Sequence, residues 1–138
     1  MKLDKRSTKE YSQKMKDRIL EISELKKGWL DGQGSDQSIL KDSIILDWFC
    51  DNYPNNLPLP SIFPLAEGGN IEITWNNKSL SSIQIECADY PEMTYHDIKD
   101  EQNIFYNPLS KSDWEKIFNK VRKSYENDNP HQSAPNPL

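Results

Sequence analysis

A chain of 138 residues is long enough for one domain with a single core and too short for two domains of ordinary size. Hydrophobic residues make up 35% of it and aromatic residues 10%, and no apolar run approaches the ~20 residues of a membrane span. The net charge is −5, and an acidic chain repels the phosphates of nucleic acids.

The first predicted element is a helix over residues 8–27. The segment Ser7–Glu10 has the pattern of a capping box, in which a serine and a glutamate satisfy each other's backbone N–H groups. Apolar residues then recur every three or four positions from Tyr11 to Leu25, which predicts one buried stripe. Gly28 is well suited to end this helix, because glycine adopts the backbone conformation of a helix C-terminus at no steric cost.

A second helix is predicted over residues 37–52. Ser35 or Asp36 can cap its start, and several aliphatic and aromatic residues give it a broad apolar face. It ends at Tyr53, because the residue before a proline is pushed out of the helical region. The short connection between the two helices predicts that they pack antiparallel.

Strands are predicted from residue 61 onward. Residues 61–65 form an edge strand, since Pro64 cannot donate to a ladder, and Glu67–Asn70 is a hairpin turn with two glycines at its centre. Strands 71–76 and 80–87 alternate between apolar and polar residues, which predicts one packed face and one hydrated face. The residues expected on the hydrated face are Glu72, Thr74, Asn76, Ser82, Gln84 and Glu86.

The pattern weakens further along the chain. A fourth strand is predicted around residues 93–98, and residues 104–106 are either a fifth strand or a packed loop. A last helix is predicted over residues 113–126, capped by Ser110 or Ser112, and the proline-rich residues 127–138 are predicted to be a disordered tail.

The predicted fold class is therefore α+β, as a single domain over residues 1–126. It has two N-terminal helices, a four-stranded and mainly antiparallel sheet, and a C-terminal helix, with the helices on one face of the sheet. The charged segment Met1–Glu10 lacks the apolar stretch of a signal peptide, so we expect a cytoplasmic protein that does not enter a membrane.

Charge is unevenly distributed along the chain. Residues 1–27 hold nine Lys or Arg and five Asp or Glu, a net charge of +4, whereas residues 28–109 hold three Lys and thirteen acids, a net charge of −10. The acidic region argues against direct nucleic-acid binding by the sheet and favours a basic protein partner. An acidic surface also keeps proteins soluble, which is the alternative explanation.

The reactive residues of the sequence do not form a catalytic or metal-binding pattern. Cys50 lies in an apolar helical stretch and Cys87 on the apolar face of a strand, positions that are typical of buried thiols. His96 and its neighbour Asp97 are expected to point to opposite faces of a strand. A Cys87–His96 nucleophile pair is conceivable, but burial would make the thiol inert. We predict no catalytic residue, no metal and no cofactor.

Two local patterns stand out from the composition. The first is the segment Gly28–Gly34, with the sequence GWLDGQG; the second runs from Pro58 to Trp75 and contains PLP, EGG and a strand that ends in Trp. Together they resemble a poorly characterised group of small bacterial proteins with a GWxDGxG loop followed by PxP, EGG and a Trp-ending strand. That group implies no activity that can be carried over. The physical interpretation is structural, with glycines turning the chain and Trp29 filling a seam between the first helix and the sheet.

The leading functional hypothesis is a non-enzymatic protein-binding module. It would act as the antidote or inhibitor of a basic partner in a bacterial two-component or phage-related system. The alternatives are a phage or mobile-element accessory protein that forms a homodimer through an exposed edge strand, and a hydrolase with a pocket near Asp31 and Glu67. The residues predicted to bind the partner are Glu72, Thr74, Asn76, Gln84, Glu86, Trp29 and Asp31.

Overall fold

The structure is a computed structural model, and it describes residues 5–87, 90–99 and 102–128. Its helices are α1 (Lys5–Ser23), a 3₁₀ helix (Ser38–Asp42), α2 (Ile44–Asn52) and α3 (Lys111–Asp128). Its strands are β1 (Ser61–Pro64), β2 (Asn70–Thr74), β3 (Ser82–Glu86), β4 (Glu92–Asp97) and β5 (Gln102–Tyr106). The α+β class is confirmed. None of the described helices combines the length and the apolar character that crossing a bilayer requires.

The five strands form one antiparallel meander in the order β1-β2-β3-β4-β5. The prediction of four strands was wrong by one, because β5 is a full strand. β5 does not show a clear alternation of polar and apolar residues in the sequence. The outward-facing Phe105 is apolar and 77% exposed, and the inward-facing Ile104 is only half-buried. An edge strand with an apolar residue on its hydrated face does not show the polar and apolar alternation of a central strand.

A single core joins the inward face of the sheet to the three helices. The isoleucines of β2 and β3 are fully buried in it, together with residues from each helix such as Met15, Phe49 and Trp114. Trp75 follows β2 and is completely buried, as predicted, and its indole N–H donates to the hydroxyl of Tyr53 at 2.8 Å. The Tyr53 hydroxyl in turn donates to the carbonyl of Pro58. This chain of hydrogen bonds ties the end of α2 to the sheet.

The first helix is displaced toward the N-terminus relative to its prediction. It begins at Lys5, before the predicted cap at Ser7, and it ends at Ser23 instead of residue 27. The Ser23 hydroxyl donates to the carbonyl of Leu20 at 2.6 Å, and such side-chain bonds compete with continued helix. Residues 24–28 therefore belong to the loop that follows α1.

The second predicted helix is in fact two elements. A 3₁₀ helix covers Ser38–Asp42, the chain becomes extended at Ser43, and α2 starts at Ile44. The Ser43 hydroxyl accepts the N–H of Leu46 at 3.2 Å and is the true cap, a signal that the broad apolar pattern concealed. The predicted end of the helix before Pro54 is confirmed.

The last helix is longer than predicted. Ser110 caps it, accepting the N–H of Asp113 at 3.2 Å, and α3 continues to Asp128. Residues 127 and 128 are thus part of α3, whereas the prediction ended this helix at residue 126. The rest of the predicted tail, residues 129–138, lies outside the described residues.

Candidate functional site

The sheet has an open face on the side away from the core. The strand registers align its outward-pointing residues in rows that run across all the strands. The central row contains Phe63, Glu72, Gln84, Thr94 and Phe105, in the order of the strands. Both ends of this row are exposed aromatic residues, Phe63 at 45% and Phe105 at 77%, and its middle is polar. The predicted site residues Glu72 and Gln84 lie directly opposite each other in it.

A second row lies beside the central one and contains Ser61, Thr74, Ser82, His96 and Asn103. Ser82 was predicted to be hydrated, but it is only 6% exposed. A cross-strand hydrogen bond of 2.7 Å joins the Nδ1 atom of His96 to the Oδ1 atom of Asn103. Asp97 is buried on the other side of β4, with one carboxylate oxygen 3.4 Å from the Tyr95 hydroxyl. His96 and Asp97 thus point to opposite faces, as predicted.

The third row is the acidic end of the open face. Glu86 lies opposite Asn70 on one side and opposite Glu92 on the other. These residues, together with Glu67 from the β1–β2 turn, line a shallow depression of about 150 Å³. Two glutamates directly opposite each other on neighbouring strands repel and make the sheet less stable.

The charge of this face is not compensated within the sheet. No lysine or arginine occurs in any of the five strands. Of the ion pairs between described residues, those of Lys16, Arg18 and Lys116 are with carboxylates on helices. Glu72, Glu86 and Glu92 take part in none of these pairs. A basic group from another molecule would therefore find these carboxylates available.

One predicted sheet residue is not part of the face. β2 ends at Thr74, and Asn76 lies in the loop between β2 and β3, where it is exposed. The hydrogen bond from the Trp75 N–H to the Ser81 carbonyl is the last one between the two strands, so the chain turns earlier than expected. Asn76 is thus next to the face and outside its rows.

Trp29 and Asp31 belong to a separate loop, and the structure does not bring them into the rows of the open face. Asp31 and Gly32 have φ angles of 48° and 88°, and Leu30 and Gln33 exchange backbone hydrogen bonds of 2.7 and 2.8 Å. Positive φ at both central positions is characteristic of a type I′ hairpin turn, for which Asp-Gly is a preferred sequence. Asp31 is exposed at the tip of this turn and does not line the depression beside Glu67.

The Trp29 side chain folds back onto its own loop. Its indole N–H donates to the carbonyl of Ser35 at 2.7 Å, and its ring covers Gly34 so closely that a Cβ there would lie 2.7 Å from the ring. Trp29 is half-buried and lies outside the core cluster, so it does not fill a seam between α1 and the sheet as expected. The tight loop explains the GWLDGQG pattern by backbone geometry.

Gln37 links this loop to the acidic end of the sheet and was missed in the sequence. It is completely buried, its Nε2 atom donates to the carbonyls of Leu65 (2.7 Å) and Glu67 (3.2 Å), and its Oε1 atom accepts the N–H of Gly69 at 3.0 Å. The nearby Gly68 has no space for a side chain, since a Cβ would lie 2.7 Å from the Asp36 carbonyl oxygen. A single glutamine in a polar stretch carries no pattern that would have identified this role. Gln37 positions the turn that carries Glu67.

The two thiols and His96 do not form a reactive group in the part of the chain that the structure describes. Burial raises the pKa of the Cys50 thiol to about 12 and that of the Cys87 thiol to about 11, the latter against a smaller lowering by a hydrogen bond with Ser43. Cys87 continues the inward-facing positions of β3, whereas His96 points outward from β4, so the conceivable pair is not formed. Among the described residues, no cluster of His, Cys, Asp and Glu could hold a metal ion.

Comparisons with known proteins identify no relative of this chain. No protein-family model, no curated protein and no solved structure shows a significant match to the chain. The functional argument therefore depends on the open face itself.

Proposed function

We propose that this protein is a protein-binding module that presents the open face of its sheet to a basic partner. The observation that carries the proposal is the set of carboxylates of Glu72, Glu86 and Glu92 on a sheet without a single lysine or arginine. Complementary charge steers association and suppresses wrong partners, so such a face favours a protein with a basic surface.

The arrangement of Glu86 opposite Glu92 supports this proposal. Stability by itself favours unlike or neutral residues at directly opposed positions of two strands. A like-charged pair at the acidic end of the face therefore costs stability in the free protein. Residues that bind a partner commonly carry such a cost, because the binding surface is shaped for the complex.

The exposed aromatic residues supply the second ingredient of a binding surface. Phe63 and Phe105 lie at the two ends of the central row, with polar side chains between them. Aromatic side chains are enriched among the residues that contribute most to protein–protein affinity. A basic partner that spans the sheet would bury an aromatic ring at each edge and place its cations over the glutamates.

This chemistry fits an antidote or inhibitor that covers the basic active surface of a nuclease or another nucleic-acid enzyme. In that role the acidic face takes the place of phosphates, and no reactive group is needed on this chain. A bacterial two-component or phage-related system is the setting that we propose, with the protein in the cytoplasm.

The proposal is tested by capture on the immobilised full-length protein, followed by identification of the bound proteins and measurement of their association rates. The test variant is Glu72→Lys/Glu86→Lys. Its matched control is Asp42→Lys/Glu115→Lys, which changes the charge equally at exposed positions on the helices. We expect a basic partner whose association slows about tenfold or more with the test variant and less than about threefold with the control. Equal slowing by both variants would mean that only the overall charge matters and would overturn the assignment of the face.

A further inference from the structure

The two edges of the sheet are built differently. At β1 the side chain of Arg18 donates from its Nε atom to the carbonyl of Ile62 at 2.9 Å, and Pro64 has no N–H to offer. A prolyl residue and a cation at an edge are among the devices that prevent pairing with another strand. The β1 edge is therefore closed to a further strand.

The β5 edge has none of these devices. Its five residues are Gln102, Asn103, Ile104, Phe105 and Tyr106, without charge and without proline. Asn103 and Phe105 are both exposed. Uncharged edge strands of this kind readily pair with a strand of another chain.

The hydrogen-bond pattern of the sheet identifies which backbone groups of β5 are free to pair. The Trp75 N–H donates to the Ser81 carbonyl, so odd-numbered residues of β2 direct their backbone groups toward β3. The same alternation continues through the paired residues of β3 and β4. In β5 it directs the N–H and C=O groups of Asn103 and Phe105 away from β4. The same alternation directs the Ile62 carbonyl outward from β1, where Arg18 meets it.

We propose that β5 pairs antiparallel with β5 of a second copy of this chain, about a twofold axis at Ile104. In this register Asn103 of each copy lies opposite Phe105 of the other, and the two N–H and two C=O groups that each copy directs outward are all paired. The twofold axis then places Ile104 opposite Ile104 of the second copy. The two sheets form one continuous ten-stranded sheet.

Charge selects the second copy as the occupant. A basic partner is attracted to the glutamates of β2, β3 and β4 and finds no charge on β5. Two copies with a net charge of −5 repel each other, and an uncharged strand is the part of the sheet where they can meet with the least repulsion. One short strand pair buries less than the ~1,200 Å² of a standard interface, so we expect a weak dimer.

Sedimentation of the purified full-length protein, without any partner, tests the dimer. We expect a concentration-dependent monomer–dimer equilibrium that shifts toward dimer as salt rises, because salt screens the repulsion between the copies. Association with the proposed basic partner would weaken with salt, so the two proposals fail independently. A monomer at millimolar concentration in high salt would overturn the dimer.

The pair Phe105→Lys and Phe63→Lys separates the two edges. Both substitutions place one cation at an exposed end of the same row, so their effects on folding should be similar. We expect Phe105→Lys to weaken the dimer at least tenfold and Phe63→Lys to leave it within threefold of the wild type. Equal weakening by both would place the contact elsewhere and overturn the proposal.

The register is tested by disulfide formation. Ile104→Cys places two thiols directly opposite each other in a non-hydrogen-bonded pair, where the Cα atoms are close enough for a disulfide. Asn103→Cys separates the two thiols along the strands and is the control. We expect a crosslinked dimer on mild oxidation of Ile104→Cys and little from the control. Crosslinking of the control alone would show a different register and overturn the proposed axis.

Discussion

The glycines of the Gly28–Gly34 loop differ in what a side chain would meet. Gly32 and Gly34 have nearly equal φ angles of 88° and 93°, so a substitution costs similar backbone strain at both. A Cβ at Gly32 meets nothing within 4 Å, whereas a Cβ at Gly34 would collide with the Trp29 ring. The two positions therefore separate backbone strain from steric conflict.

We predict that Gly32→Ala lowers the free energy of unfolding by about 1 kcal/mol through backbone strain alone. Gly34→Ala should lower it by about 3 kcal/mol, because the indole must also move and its hydrogen bond to Ser35 is lost. Urea unfolding of the two variants beside the wild type measures both values. Equal losses would contradict the close packing of Trp29 on Gly34.

The pairing of β3 with β4 contains a repulsion between two glutamates that a single substitution can remove. Glu86 lies opposite Glu92, whereas Glu72 lies opposite Phe63 and Gln84 and has no like charge across from it. The two glutamates share the open face and differ in their immediate cross-strand neighbours. They are a matched pair for separating repulsion within the sheet from the loss of any one acidic group.

Glu86→Gln should raise the free energy of unfolding by about 0.5 kcal/mol, because it removes repulsion while keeping the shape of the side chain. Glu72→Gln should leave stability unchanged within about 0.3 kcal/mol. Denaturant titration in low salt is the measurement, and added salt should reduce the difference. A loss of stability in Glu86→Gln would show that Glu86 has a favourable role in the fold and would weaken the argument for a binding role.

The strands and helices also show where sequence patterns are informative. The alternation of β2 and β3 was predicted with the correct inward residues because these strands are central and one of their faces is buried. β5 was predicted as either a fifth strand or a packed loop, and the break at Ser43 was not predicted, because an edge strand and a short 3₁₀ segment depend on their neighbours for burial. Local periodicity identifies an element only when its environment is uniform along its length.

Two buried thiols and a buried tyrosine hydroxyl link the stability of the folded chain to pH. The thiols of Cys50 and Cys87 have their pKa values raised by burial to about 12 and about 11, and the hydroxyl of Tyr95 has its pKa raised to about 12 by burial. In the unfolded chain these groups ionise near 9 and near 10. Above pH 9 the unfolded chain binds fewer protons than the folded one, so stability falls as pH rises.

We predict that the free energy of unfolding decreases by about 3 kcal/mol between pH 8 and pH 10, mainly because of the two thiols. The variant Cys50→Ala/Cys87→Ala is less stable at pH 8, since it leaves a cavity, but should lose less than about 1 kcal/mol over the same range. Urea unfolding at each pH, under reducing conditions, gives both differences. The same decrease in both proteins would assign the pH dependence to other groups.

The placement of the candidate site was only partly predictable. Glu72, Thr74, Gln84 and Glu86 lie on the hydrated face as the alternation of their strands indicated, and Asn76 lies just beyond it. The extension of this face to Thr94, His96 and Phe105 depends on β4 and β5 joining the same meander in register. Trp29 and Asp31 were grouped with the face because they were conspicuous in the sequence, but the hairpin turn keeps them on their own loop.

The amino-acid sequence by itself determined the α+β class, the buried sides of β2 and β3, the presence of a serine cap before α3 and the acidic character of the middle of the chain. These features follow from periodicity, capping residues and charge, which act over a few neighbouring residues. Only the tertiary structure decided that Glu86 lies opposite Glu92, that Gln37 holds the hairpin carrying Glu67, and that β1 is closed while β5 is open. The reason is that these relations join residues distant in the chain, and the register and packing that bring them together depend on the whole fold.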